Sequence, residues 1–412
     1  MLMELLYIIS SAIAFTYKYD GVLVSYWLKY IISMGWIILW LLIIMRKNGT
    51  IEGTNLFYIK NIIMPYVYIG GLSVVLWIIN RPAVFDSSYV SRSISSILCL
   101  CISMFTAIAV SYIFKRRVIQ LSVYAIVLST CFNVVRAIQI YGMGTFLDFV
   151  RTAWLVTDFD VTRPTFGISQ MLEVHDATIA AGFFIIYYLF FSKDTKKKRI
   201  VNTILLLICA YLGFKRAAFM GILAVAGLLF ILRKKGNYKK AINITGIIIT
   251  IAAFAYIIAI KIGIAEIAAI ALNIDFSGRF IIYDVLARYY SVSPLYLGTG
   301  YGYINKLFED MMGLASHADI IRMYIELGFI PYCVWLWHFL FSVPKKVLNN
   351  YGKEAAQVIL ASSLYVFVVY FVGNAMTLHC IQFSYALLPV ALSYSEETNV
   401  PKKFFRIGSM RI

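Results

Sequence analysis

Long apolar runs separated by short charged clusters set the pattern of this chain. Reading those runs against the roughly 20 apolar residues a helix needs to cross a bilayer predicts about twelve spans. They fall near residues 2–17, 22–45, 58–79, 93–114, 118–140, 176–192, 200–215, 217–232, 241–262, 319–342, 355–372 and 375–394. Two stretches interrupt the pattern as long polar loops, 141–175 and 263–318. The first apolar segment lacks the short core and small-residue cleavage site of a removable signal, so it is expected to remain as a span. Composition agrees with the pattern: 61% of the 412 residues are apolar, 14% are charged, and the mean hydropathy is +0.82. The expected fold is therefore all-α and polytopic, a single integral membrane domain over 1–412.

One pair of runs is too short. Between Arg199 and Arg233 lie 33 residues that must cross twice, with Lys215 and Arg216 at the midpoint of the hairpin. Two helices of about 16 residues reach about 24 Å each, against an apolar core of roughly 30 Å. The two cations are thus expected below the membrane surface, where an Arg costs at least about 2.5 kcal/mol unless a wet cavity or an anion receives it. Arg216 becomes the first functional candidate.

The formal charge of +17 could suggest nucleic acid, but its distribution argues for topology instead. With both termini in the cytoplasm, 23 of the 37 basic residues fall on that side, among them the runs 115–117, 196–199 and 233–240. This obeys the positive-inside rule at every loop, and such short loops offer no platform for nucleic acid or an ATPase. The cytoplasmic set holds 16 Lys and 7 Arg, whereas the remainder holds 5 Lys and 9 Arg. Lysine anchors the inside; the outer half uses the planar guanidinium that grips phosphate or carboxylate in pairs of hydrogen bonds. A polyanionic ligand on the outer side follows. Headgroup anchoring is the competing role for Arg81, Arg92 and Arg151, and equally for Arg163, which the rigid segment 162–167 presents to sugars or phosphate.

The second loop, 263–318, divides into readable pieces. Arg279 to Tyr290 predicts an amphipathic helix, with Asp284 and Arg288 paired at i, i+4. Gly298-Thr-Gly-Tyr-Gly302 follows; it lacks the Lys-Ser/Thr ending of a P-loop and reads as a hinge or turn that offers Tyr301 to a substrate. Ser316 and Asp319 have capping-box spacing before a long apolar helix, which makes Asp319 structural. His317 then occupies the first turn, where the helix dipole disfavours imidazolium and leaves the ring free to act as a base. Arg322 could reach the anion site at that helix end or pair with Asp319 or Glu326.

The six cysteines lie within predicted spans without zinc-ligand spacing. Asp158-Phe-Asp160 and Glu173-Val-His-Asp176 are the rival metal reading, a carboxylate pattern common by chance where arginines already supply positive charge. No metal or other cofactor is expected. His338, His379 and Gln382 would serve a transporter, but interhelix hydrogen bonding is their commoner use.

Lys215-Arg216 at the outer end of a short span pair, Ser277-Gly-Arg279 early in a long outer loop, and His317-Ala-Asp-Ile-Ile-Arg-Met-Tyr-Ile-Glu-Leu-Gly328 resemble the O-antigen polymerase and O-antigen ligase superfamily. The matching motifs lie within 213–342, and their order and spacing carry the likeness. The resemblance implies a GT-C-like glycosyltransferase with a periplasmic site in the bacterial inner membrane. Its donor and acceptor would be undecaprenyl diphosphate-linked glycans, with a chain-length regulator as a further partner. Arg216 and Arg279 would hold the diphosphate and His317 would act on the acceptor hydroxyl, with Lys215, Arg163, Arg288, Arg322 and Tyr301 contacting substrate. By analogy the polymerase is favoured. The alternatives are the ligase, which uses lipid A core as acceptor, and a lipid-linked oligosaccharide flippase.

Overall fold

Runs of Ile, Leu, Val and Phe long enough to satisfy all their backbone groups internally become helices, and a two-residue ladder is the only strand pairing among the described residues. The computed structural model describes residues 1–16, 27–47, 49–80, 87–152, 168, 175–213, 216–233, 238–264, 267, 279–312, 318–394 and 405–406. In chain order the helices are α1 (Leu2–Phe15), α2 (Leu28–Arg46), α3 (Gly53–Tyr58), α4 (Met64–Asn80), α5 (Ser87–Phe114), α6 (Arg117–Tyr141), α7 (Met143–Thr152) and α8 (His175–Ile186). There follow α9 (Lys196–Leu212), α10 (Arg216–Arg233), α11 (Tyr238–Lys261), α12 (Arg279–Ala287), α13 (Tyr303–Met312), α14 (Asp319–Leu327), α15 (Phe329–Trp337), α16 (Val343–Val372) and α17 (His379–Ser393). Three π-helical turns, Ile59–Ile63, Tyr187–Phe191 and His338–Ser342, lie in or extend these rods.

Among the described residues, six stretches are long and apolar enough to cross a membrane: Leu28–Arg46, Gly53–Ile79, Ser88–Phe114, Arg117–Tyr141, Tyr238–Lys261 and Phe329–Phe371. Leu2–Phe15, Ala177–Phe191 and Arg216–Leu229 are apolar but shorter. The protein is an all-α, multi-pass membrane protein, though not every one of the twelve expected spans reaches crossing length. The 43-residue stretch is itself two rods, because Gly352 leaves helical geometry at φ 80°.

One expectation needs correction. The predicted span 319–342 is broken at Gly328 (φ 80°, ψ 173°), so α14 stops after nine residues, about 13 Å, and does not cross. Apolar periodicity on both sides hid the break.

A cluster of basic residues marks one end of the bundle. Arg117 meets Glu4 at 2.8 Å, Lys115 meets Glu52 at 3.5 Å, and Glu354 receives both Arg116 (3.0 Å) and Lys193. The first turn of α1, through Glu4, and Phe405–Arg406, which pairs antiparallel with Thr50–Ile51, lie on this same side.

The long rod α16 is the axis of the other half. Tyr365 on it fills the space left by Gly182 on α8 and Gly221 on α10, and its hydroxyl donates to the Ile179 carbonyl at 2.7 Å. Arg216 lies five residues before Gly221 and Val372 seven after Tyr365. At 1.5 Å per residue, the start of α10 and the end of α16 stand within about 3 Å of one level. That level is the end of the bundle opposite the basic cluster.

Candidate functional site

Three helices begin near the level of the end of α16. α10 begins at Arg216, α12 at Arg279 and α14 at Asp319. α10 is positioned from below by Gly213, where any Cβ would overlap the side chain of Thr178 on α8. α12 is fixed through Tyr283, whose hydroxyl lies 2.9 Å from that of Tyr256, and Tyr256 in turn donates to the Phe371 carbonyl at 3.0 Å. Lys261 closes the far end of α12 by donating to the carbonyls of Ala287 and Tyr290, both at 2.6 Å.

α14 is held most tightly of the three. Asp319 Oδ2 accepts the backbone N–H of Ala375 at 2.6 Å and of Met376 at 2.7 Å, and its own N–H donates to Gly373. The turn that links α16 to α17 is thus clamped to the first residue of α14, which confirms Asp319 as structural. The capping-box partner Ser316 lies outside the described residues; the N-cap position is Ala318, without a side-chain cap.

Behind this clamp sits a buried charged row. Asp319, Arg322 and Glu326 are each fully buried on one face of α14. Arg322 Nη2 lies 2.9 Å from Asp319 Oδ1, its Nη1 donates to Asn374 Oδ1 at 3.0 Å, and its Nε stands 3.9 Å from Glu326 Oε2. Glu326 Oε1 accepts the Ile304 N–H at 3.0 Å. The Tyr301 ring covers the guanidinium at 5.8 Å, a cation–π distance. Alignment is poor for several of these groups: Arg322 Nε and Nη2, Asp319 Oδ1, Glu326 Oε2 and the Tyr301 hydroxyl are buried without a well-directed partner among the described residues.

The glycine-rich segment is a pinned turn, not a hinge. Thr299 and Gly300 donate their N–H groups to the carbonyls of Ile325 and Glu326 at 3.0 and 2.8 Å, and Tyr301 donates to Ser73 Oγ at 2.9 Å. Those three donors are spent on protein and are not available to cradle a phosphate. Gly298 (φ 82°) faces Gly328 backbone to backbone, so a Cβ on either would overlap the opposing chain. Gly328→Ala should therefore lower the thermal midpoint of the purified protein. Strain at positive φ alone costs about 1–3 kcal/mol. Gly71→Ala on α4, where nothing lies within 4 Å, should leave the midpoint unchanged.

The structure places the sequence candidates as follows. Arg216 is exposed at the helix start, and no described carboxylate pairs with it. A cation there opposes the positive end of the helix dipole, so an anionic partner is what would stabilise it. Arg279 opens α12, with its side chain outside the description. His317, Lys215 and Arg163 lie outside the described residues, as do Asp158, Asp160 and Glu173. Arg288, just past the end of α12, is exposed and paired with Asp284 at 2.6 Å. Arg322 takes the ion-pair option that its spacing left open, and Tyr301 contacts that guanidinium from within the protein. On α13, Asp310 beside Lys306 holds the ammonium above its usual range, and Glu309 meets Arg92 at 3.2 Å. These charges are internally committed.

Sequence reasoning placed a break at 373–374, between the spans 355–372 and 375–394, but gave Asn374 and the turn 373–378 no role in the site. His338 and His379 make interhelix contacts, to the Asn61 carbonyl at 2.7 Å and to Ser103 Oγ at 2.8 Å, and Gln382 donates to the Tyr370 hydroxyl at 2.8 Å.

Residues 201–336, about a third of the chain, match a family model described as O-antigen ligase. The match supports the O-antigen ligase and polymerase superfamily. No curated protein matches the chain.

Proposed function

We propose that this protein is a surface-polysaccharide polymerase, a GT-C-like glycosyltransferase that moves a glycan from an undecaprenyl diphosphate donor to the non-reducing end of another lipid-linked repeat unit. The carrying observation is that the segment similar to the O-antigen ligase family contains Arg216, Arg279 and His317 together. The helices begun by Arg216 and Arg279, and the one that follows His317, start near the level of one end of α16, opposite the basic face. On this reading the basic face is cytoplasmic, the protein lies in the bacterial inner membrane and the site opens to the periplasm.

The chemistry needs little beyond those residues. The bond between the anomeric carbon and the diphosphate oxygen breaks, and its electron pair leaves with the diphosphate, whose growing charge Arg216 and Arg279 neutralise. The acceptor hydroxyl forms the new bond while His317 takes its proton. The diphosphate is already a good leaving group, so neither nucleotide nor ATP enters. Lys215, Arg163 and Arg288 would attract the anionic donor at the rim. Arg322 and Tyr301 would hold α14 so that His317 is presented correctly.

The ligase reading is favoured by the description of the matching family and differs only in its acceptor, lipid A core. Lipopolysaccharide banding in a deletion strain separates the two: loss of a polymerase leaves core plus one repeat, loss of a ligase leaves bare core. Purified protein in detergent should lengthen a diphospholipid-linked glycan with no gradient and no ATP. A chain that only flips such lipids would form no new glycosidic bond, and that outcome would sink the transferase reading.

A further inference from the structure

At the basic face, remote from the helix starts just described, a cavity of about 360 Å³ opens between α6, the π-helical turn Tyr187–Phe191 and the start of α9. We propose that it binds the headgroup of an anionic phospholipid. Three cations line its mouth, Arg116, Arg117 and Lys198, against one carboxylate, Asp194. Each cation touches a carboxylate: Arg116 meets Glu354 at 3.0 Å, Arg117 meets Glu4 at 2.8 Å and Lys198 meets Asp194 at 3.2 Å. Arg117 and Lys198 remain 69% and 43% exposed, so each keeps N–H donors beyond those its carboxylate takes.

The floor is polar and ordered. Tyr188 donates to Gln120 Oε1 at 2.8 Å, and Asn202 Nδ2 donates to the same oxygen at 2.8 Å. The π-helical turn Tyr187–Phe191 brings two consecutive tyrosines to this cavity, and Arg199 secures the turn by donating to the carbonyls of Tyr188 and Leu189 at 3.0 and 2.8 Å. π-turns of this kind are frequent at functional sites. The Tyr187 and Tyr188 oxygens retain lone pairs for a headgroup hydroxyl.

What distinguishes a lipid from a free anion lies along the helices leading away from the mouth. Tyr124, Leu128 and Val135 on α6, with Ile204 and Ile208 on α9, are 43–53% exposed and form an apolar strip. From Tyr124 to Val135 the strip runs about 16 Å along the helix, room for an acyl chain beneath a headgroup held at the rim. The cavity itself holds about a dozen water volumes, enough for a phosphodiester headgroup. A basic pocket at the end of membrane helices, continuous with lipid-facing surface, matches the chemistry by which anionic lipids are retained. This inference rests on the multi-pass reading and is independent of glycosyl transfer.

The test uses the full chain in non-ionic detergent and native mass spectrometry with phosphatidylglycerol, phosphatidylcholine or inorganic phosphate added. Phosphatidylglycerol should remain bound, and the Arg117→Gln/Lys198→Gln variant should bind it roughly 25-fold more weakly, at about fivefold per cation lost near the surface. Both side chains are solvent-exposed, so the fold should survive. A control, Lys196→Gln/Lys197→Gln, removes the same charge from neighbouring residues that do not line the cavity and should bind as the parent does. Equal retention of phosphatidylcholine, equal loss in the control, or displacement of the lipid by inorganic phosphate would each overturn the proposal.

Discussion

Arg216→Ala should reduce glycan transfer by about two to three orders of magnitude while leaving the thermal midpoint of the protein where it was, the loss typical of removing one preorganised stabiliser of developing negative charge. Stability should not suffer, because Arg216 is exposed, meets no described carboxylate and opposes the dipole of the helix it begins. Arg216→Lys should also lose activity, by roughly tenfold, because a point charge cannot reproduce a two-pronged grip on phosphate. His317→Ala should cost about two to four orders of magnitude as a lost general base. The readout is elongation of a diphospholipid-linked glycan by purified protein, resolved by mass. Full activity in Arg216→Lys would mean that the position needs only positive charge, and full activity in Arg216→Ala would remove it from the site.

Much of the architecture was legible because membrane helices obey two local rules. Apolar length set most rods to within a few residues, and the lysine-rich turns marked one face, where Arg117, Lys115 and Arg116 indeed meet Glu4, Glu52 and Glu354. The break at Gly328 was not legible. A helix reading sees only a single glycine within an apolar run, whereas the backbone of Tyr296 and Leu297, some thirty residues earlier, packs against Gly328 and accepts the Phe329 N–H at 2.9 Å. The same limit applies to the site. Spacing at i, i+3 and i, i+4 correctly allowed Arg322 to pair with Asp319 and Glu326. Nothing local could show that Asp319 would also take the N–H groups of Ala375 and Met376, because that contact joins residues more than fifty apart. Glycine-rich sequence at 298–302 signalled a turn, but the groups that pin it, the carbonyls of Ile325 and Glu326 and the Ser73 hydroxyl, lie far away in the chain.

The buried row on α14 carries the second large expected effect. Arg322→Met should destabilise the protein by about 3–5 kcal/mol, since it strands Asp319 and Glu326 as unpaired carboxylates in a dry interior. Adding Glu326→Gln to that variant should recover part of the loss, because one stranded charge is gone and the amide can still accept the Ile304 N–H. Asp319→Ala should be as damaging as Arg322→Met. It leaves the N–H groups of Ala375 and Met376 without their acceptor, and it uncouples the turn 373–378 from the helix that follows His317. Thermal unfolding in detergent measures the stability, and glycan transfer on the fraction still folded measures the site. If Arg322 grips the donor directly, Arg322→Met will keep its midpoint and lose transfer. If Arg322 is the internal strut its contacts describe, the midpoint falls first, and the Arg322→Met/Glu326→Gln variant regains stability and activity together. That pairing of readouts decides whether the guanidinium beneath Tyr301 serves the substrate or the helix that presents His317.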